Sequence, residues 1–168
     1  MTRTLAVLGV GVWLGLLVAS WMIASISFKT ASTLAGPGSR RELQERLSTL
    51  PDDARVQVFR HFASEVNRAM FGQWILAQIV VGGLTLALAA RGGGPWGLAT
   101  AALVVVFVQA GLYVRLLEVG RSIDFVARPL ARDVAAQFGL LHGAYGVLDL
   151  AKLGLLVWLV ARLLRMAR

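Results

Sequence analysis

The 168-residue sequence contains no cysteine. That excludes a disulfide framework, a thiolate metal site and a cysteine nucleophile. Charge is also scarce: 15% of residues are charged, against about 25% in a typical soluble domain. Histidine occurs twice, as His61 and His142, so a transition-metal site would need carboxylates from elsewhere. No HExxH or HxxE pattern supplies them. The methionines (Met1, Met22, Met70 and Met166) are too scattered for a copper relay. No GxSxG elbow supports a serine nucleophile. The stretch "RGGGPWG" is rich in glycine but lacks the lysine and the strand–helix setting of a phosphate loop. The sequence therefore predicts neither an enzyme nor a cofactor. It contains no internal repeat and no low-complexity tract.

What is present is apolar. Hydrophobic residues make up 57% of the chain and mean hydropathy is +0.70. Four apolar runs stand out, at about 4–27, 69–90, 96–117 and 138–161. Each approaches the ~20 residues with which a helix crosses a hydrocarbon core of about 30 Å. The runs are continuous rather than alternating, which favours helices over barrel strands. A cleaved signal peptide is the alternative for the first run, given Arg3 and the small residues Ala19, Ser20, Ala24 and Ser25. Its apolar stretch exceeds the ~7–15 residues of a signal core, and Trp13 and Trp21 lie inside it. It reads as a retained helix. Gly11 and Gly15 form a GxxxG pair there, a packing signal.

The sequence thus predicts an all-α integral membrane protein, a single domain over 1–168. Its four transmembrane helices form an up-down bundle. "RGGGP" at 91–95 is so short that it makes runs two and three antiparallel neighbours, with Pro95 in the first turn of the third helix. The link 28–68 is broken at "GPG", 36–38. It then places Leu43, Leu47 and Leu50, and later Val56, Phe59, Phe62, Val66 and Met70, at helical spacing. These segments read as amphipathic helices on the membrane surface or under the bundle. The second starts at an Asp52 or Asp53 cap and runs on into the second span. A second charged link covers 118–137, where Pro129 argues against one unbroken helix.

Net charge is +8. The basic residues flank apolar runs, which points to a bilayer with anionic headgroups as partner and not to nucleic acid. Seven basic residues fall in 28–68 and four, Arg115 included, in 115–137. Five lie on the opposite side: Arg3, Arg91, Arg162, Arg165 and Arg168. By that count the links are cytoplasmic and the termini outside. The density of the short basic C-terminal tail argues the reverse.

The candidate site lies in the last run, "FGLLHGAYGVLDLAKLGLLVWLV". At about 100 degrees per residue, His142, Tyr145, Asp149 and Lys152 fall within one stripe of about 80 degrees. Gly139 and Gly146 lie beside it and predict close approach of a neighbouring helix. Asp149 and Lys152 are within pairing reach, and Lys152 is about 15 Å below the helix end at Arg162. Either charge alone in hydrocarbon costs at least ~2.5–3.5 kcal/mol. The pair is therefore expected to face the bundle interior or a wet cavity. Gln73 and Gln78 on the second helix, and Gln109 and Tyr113 on the third, are the candidate partners. The stripe is either a pathway for protons, ions or a small solute, or structural glue. A loop cluster of Arg121, Asp124, Arg128 and Arg132 is denser in charge than a turn requires. It either binds headgroups or a partner, or closes the bundle through ion pairs. His61 reads as a surface residue.

"IDFVARP" followed by "QFGLLHGAYGVLDLAKL" resembles the bacterial transmembrane protein 205-like family, in which the last helix carries a Phe–x–x–Leu–His motif, here Phe138, Leu141 and His142. The opening "VWLGLLVASWMI" is similar to the Trp–Leu–Gly near the family's start. The resemblance implies a four-helix protein of the bacterial inner membrane with no settled activity. Eukaryotic relatives have been linked to drug resistance, which loosely implies transport or trafficking. Transport or handling of a small solute along the polar face is the leading expectation, by a chain that works as a homo-oligomer or with a membrane-protein partner. The alternative is a non-catalytic assembly or interaction subunit.

Overall fold

A computed structural model describes residues 1–37, 39–126 and 128–166. Gly38 of the "GPG" break and Arg168 of the basic tail lie outside the described residues. Helix α1 (Thr2–Ala35) outruns the expected 4–27, because nothing before Gly36–Pro37 breaks it. A short α2 (Arg41–Arg46) follows, where the leucine spacing predicted a longer amphipathic helix. Helix α3 (Asp52–Arg91) fuses the second amphipathic segment with the second apolar run, as expected. Neither aspartate caps it: Pro51 holds the N-cap position without a side-chain bond, and Asp52 pairs instead with Arg55. Helix α4 (Trp96–Ser122) and helix α5 (Arg132–Arg165) complete the chain. Pro129 lies in the link between them. Pro95 stands at the N-cap of α4, one position before the expected first turn.

Among the described residues there is no strand. α1, α3 and α4 are each long and apolar enough to cross a membrane. The four long helices form a closed ring in which α1 packs on α3, α3 on α4, α4 on α5, and α5 on α1. The tight turn after α3 puts Gly93 at φ +65°, a left-handed conformation that glycine adopts freely. Arg3 fastens this end of the ring by donating to the carbonyls of Gly92 at 3.0 Å and Met166 at 2.8 Å.

The core is built on Trp13, Val10, Val106, Leu156, Leu159 and Leu163. The close approach is not where the GxxxG pair predicted it. A Cβ at Gly11 or Gly15 meets nothing within 4 Å, and the same holds at Gly139 and Gly146. These glycines face outward. The tight contacts between α1 and α3 fall at Gly9, where a Cβ would lie 2.5 Å from Thr85 Oγ1, and at Gly82, where it would lie 2.6 Å from the Trp13 ring and 2.9 Å from Leu103. Gly82→Ala is therefore expected to destabilise the protein by about 1–3 kcal/mol through overpacking. Gly11→Ala should leave its melting temperature in detergent unchanged. Equal behaviour of the two variants would show that the α1–α3 seam lies elsewhere.

The outside is as informative as the core. Val12 and Met22 on α1, Val80 and Leu84 on α3, Val104 and Phe107 on α4, and Val147 and Val157 on α5 are all exposed. Gln78, Gln109, Asp149 and Lys152 are buried. In water that distribution is inverted, because large apolar patches are rarely left exposed.

Candidate functional site

Three of the four stripe residues on α5 turn into the ring. Lys152 is 0% exposed, Asp149 5% and Gln109 of α4 1%. Lys152 Nζ lies 3.0 Å from Asp149 Oδ1 and donates to Gln109 Oε1 at 2.6 Å. Gln109 Nε2 donates to the same Asp149 oxygen at 2.8 Å. The other carboxylate oxygen accepts the indole N–H of Trp21 on α1, at 2.9 Å. The acid is thus met by three donors from three helices, and the ammonium by two acceptors. Buried charges are tolerated when paired and hydrogen-bonded in this way. The arrangement closes on itself, with each charged group already engaged.

Gln109 is the one proposed partner that joins this network. Gln78 is buried but accepts from Trp13 Nε1 at 3.3 Å. Tyr113 donates to the main-chain carbonyl of Arg68. Gln73 is exposed. His142 is also exposed and stacks on Phe138, with ring centroids 6.0 Å apart, because α5 above Tyr145 leaves the packed interior. Sequence reasoning missed Trp21. The signal was present, since an indole N–H inside an apolar run needs an acceptor. Trp74 obeys the same rule, donating to the Leu16 carbonyl at 2.5 Å.

The loop cluster resolves around one residue. Asp124 is buried and is held by Arg68 of α3, with Nη2 to Oδ1 at 2.6 Å and Nη1 to Oδ2 at 2.8 Å. Its ion partner comes from α3 and not from its own loop. Arg121, Arg128 and Arg132 are exposed. Burial alone would raise the Asp124 carboxyl above its ordinary value. The Arg68 guanidinium outweighs that and holds it lower. His61 is no free surface residue: its Nδ1 lies 3.3 Å from Asp124 Oδ2, and its ring packs on Phe125. His61, Glu65 and Asp124 offer ligand atoms within 4.8 Å of one another. Arg68 engages both carboxylates, so the cluster is an ion network rather than a metal centre.

Between this network and the buried pair lies a cavity of about 320 Å³. Arg60, Arg68 and Arg128 stand at its loop end. Its walls are apolar, from Leu116, Leu117, Ile123 and Phe138. Phe71 and Tyr145 meet edge to face at its base, with centroids 6.0 Å apart and planes at 83°. Asp149, Lys152 and Gln109 do not line it. Phe28 of α1 and His142 of α5 also border it, and both are exposed.

No family model matches the chain, and no curated protein or solved structure does either.

Proposed function

We propose that this chain is a four-span membrane protein that binds a small anionic ligand in the chamber at the loop end of its ring, without catalysing a reaction. The observation that carries the reading is the chamber itself: an apolar-walled cavity of about 320 Å³ with three arginines at one end. Ligand pockets typically combine apolar walls with a few convergent polar groups. Solute handling therefore moves from the polar stripe of α5, whose charges satisfy each other, to the space above it. The outward apolar face of α5 supports a fourth span, and the internal pairing of Asp149 with Lys152 removes the objection that the helix carries charge. By the count of basic residues the chamber opens toward the cytoplasm. The likeness to the transmembrane protein 205-like family rests on short motifs and fits this architecture.

The chain lacks cysteine, which makes single-cysteine chemistry the natural test. In sealed vesicles, a membrane-impermeant maleimide should label Ser48→Cys and Val126→Cys from one side, and Gly93→Cys and Met166→Cys from the other. Ser64→Cys, which lines the chamber, should react about tenfold faster with an anionic than with a cationic methanethiosulfonate, because a basic cleft concentrates anions. Labelling of Met166→Cys on the Val126 side removes the fourth span. Equal rates at Ser64→Cys remove the anion chamber and leave the interaction-subunit reading, which the closed Asp149–Lys152 network also favours.

A further inference from the structure

The chamber has a direction. Arg60 stands at its loop end and Phe71 at its base, eleven residues further along α3. At 1.5 Å per residue that is a depth of about 16 Å. Arginine at the outer end and aromatic rings at the inner end reproduce the polarity of one bilayer leaflet, with headgroup above and acyl chain below. A small hydrophilic anion needs the first part of that gradient and gains nothing from the second.

The charge balance at the outer end is incomplete. Arg68 is engaged by Asp124 and Glu65. Among the described residues neither Arg60 nor Arg128 forms an ion pair. Arg60 donates to the main-chain carbonyl of Asp124 at 3.4 Å. Arg128, although exposed as a residue, is held below its ordinary value, first by partial desolvation of its guanidinium where it borders the cavity and then by the charge of Arg60. Two guanidinium groups thus repel each other across a space that an anion would neutralise. Guanidinium groups suit carboxylate and phosphate oxygens, which they can engage bidentately.

The opening fits a ligand arriving from the membrane. α1 and α5 are joined by the Trp21–Asp149 bond and, at the far end, through Arg3. Above Trp21 the exposed rings of Phe28 and His142 border the chamber from these two helices. A volume of about 320 Å³ lies at the small end of the ~300–1,000 Å³ range of ligand pockets. That favours one acyl chain over the two of a bilayer phospholipid.

From this polarity, charge and size we infer that the occupant is a single-chain anionic amphiphile, a fatty carboxylate or a monoacyl phosphate, which enters from the bilayer between α1 and α5 with its head between Arg60 and Arg128. The inference rests on the chamber reading and narrows it to one ligand class.

The test is native mass spectrometry of the full chain in a neutral detergent, titrated with four probes. Myristate and lysophosphatidic acid carry both features. Lysophosphatidylcholine keeps the chain but not the net charge. Glycerol 3-phosphate is a head alone. One molecule of myristate or lysophosphatidic acid should bind per chain, with lysophosphatidylcholine about tenfold weaker or worse and no glycerol 3-phosphate adduct. Arg60→Ala and Arg128→Ala should each weaken binding about tenfold, the scale of one charge-assisted hydrogen bond. Ser64→Phe should abolish it by filling the chamber. Arg115→Ala, whose side chain pairs with Glu118 on the outer surface of α4, should bind as wild type does. Melting temperatures confirm that each variant is folded. If lysophosphatidylcholine binds as well as the anions, or the arginine variants keep full affinity, the amphiphile is not recognised by charge and the inference falls. If glycerol 3-phosphate binds as tightly, the inference falls while the anion chamber stands. If nothing binds, both fall.

Discussion

Lys152→Met lowers the stability of the detergent-solubilised protein by about 3–5 kcal/mol, and Asp149→Asn does so by a similar amount, while the double variant recovers most of the loss. Removing one partner of a buried pair leaves the other charge without compensation. Here the ammonium is 0% exposed and the carboxylate 5%, so solvent offers little relief. Removing both leaves a methionine of similar length and a neutral amide that still meets Gln109 and Trp21. Replacing a buried ion pair by groups of similar volume is often neutral or stabilising. Reversible unfolding of the four proteins gives the coupling energy directly. Trp21→Phe should cost less, about 0.6–1.7 kcal/mol, the scale of interhelical hydrogen bonds in membranes. Single variants that remain as stable as wild type but lose binding would make the pair a working site and not a fastening.

The all-helical architecture was legible in the sequence because its long apolar runs are continuous and lack the alternation of strands. Runs of about 20 apolar residues gave the long helices, and the five-residue "RGGGP" gave the α3–α4 hairpin. The phase of Tyr145, Asp149 and Lys152 followed from helical geometry. His142 shares that phase yet is exposed, because wheel position predicts a face and not whether a neighbour still covers it. The glycine motifs misled for a related reason. Gly11 and Gly15 have the packing spacing, but the contact is set by the partner's bulk. It is Trp13 that needs a missing side chain opposite, and Gly82 supplies it.

The chamber as a whole was not legible, although Asp124, Arg128, His142 and Tyr145 were singled out as members of two separate groups. Its residues are drawn from Phe28, the Arg60–Phe71 turns of α3, the end of α4, the link that holds Asp124 and Arg128, and the start of α5. These segments are distant in sequence and share no periodicity. Of the apolar face read on the first α3 turns, Val56 and Phe62 are exposed, Phe59, Val66 and Met70 are half-buried, and the residues buried outright are Ala63 and Asn67. Amphipathic spacing marks the apolar side of a helix and not the polar side, where Arg60, Ser64, Asn67 and Arg68 line the cavity.

Arg68→Met is expected to destabilise the protein by about 3 kcal/mol, at the low end for a broken buried pair because His61 still faces the carboxylate. The two side chains are 13% and 7% exposed, so solvent does not replace the lost partner. The bond joins α3 to the start of the α4–α5 link, and Asp124 also accepts Arg60 on its main-chain carbonyl. Losing it frees the roof of the chamber as well as costing stability. The bond also carries a pH signature. The folded-state carboxyl of Asp124 is held below its ordinary value, so its contribution is complete above the unfolded value, about pH 4. It is lost as pH falls through the lower folded value. Melting curves of wild type should therefore fall on acidification below about pH 4, and Asp124→Asn should start lower and show a shallower fall. Parallel acid profiles for the two would place the acid sensitivity elsewhere. A Lys152→Met/Asp149→Asn background should leave the Asp124 profile unchanged, because the two fastenings share no side chain and are separated by the chamber. Ligand release from the Arg68→Met protein at neutral pH, with the Asp149–Lys152 network intact, is then the expected consequence of opening the roof alone.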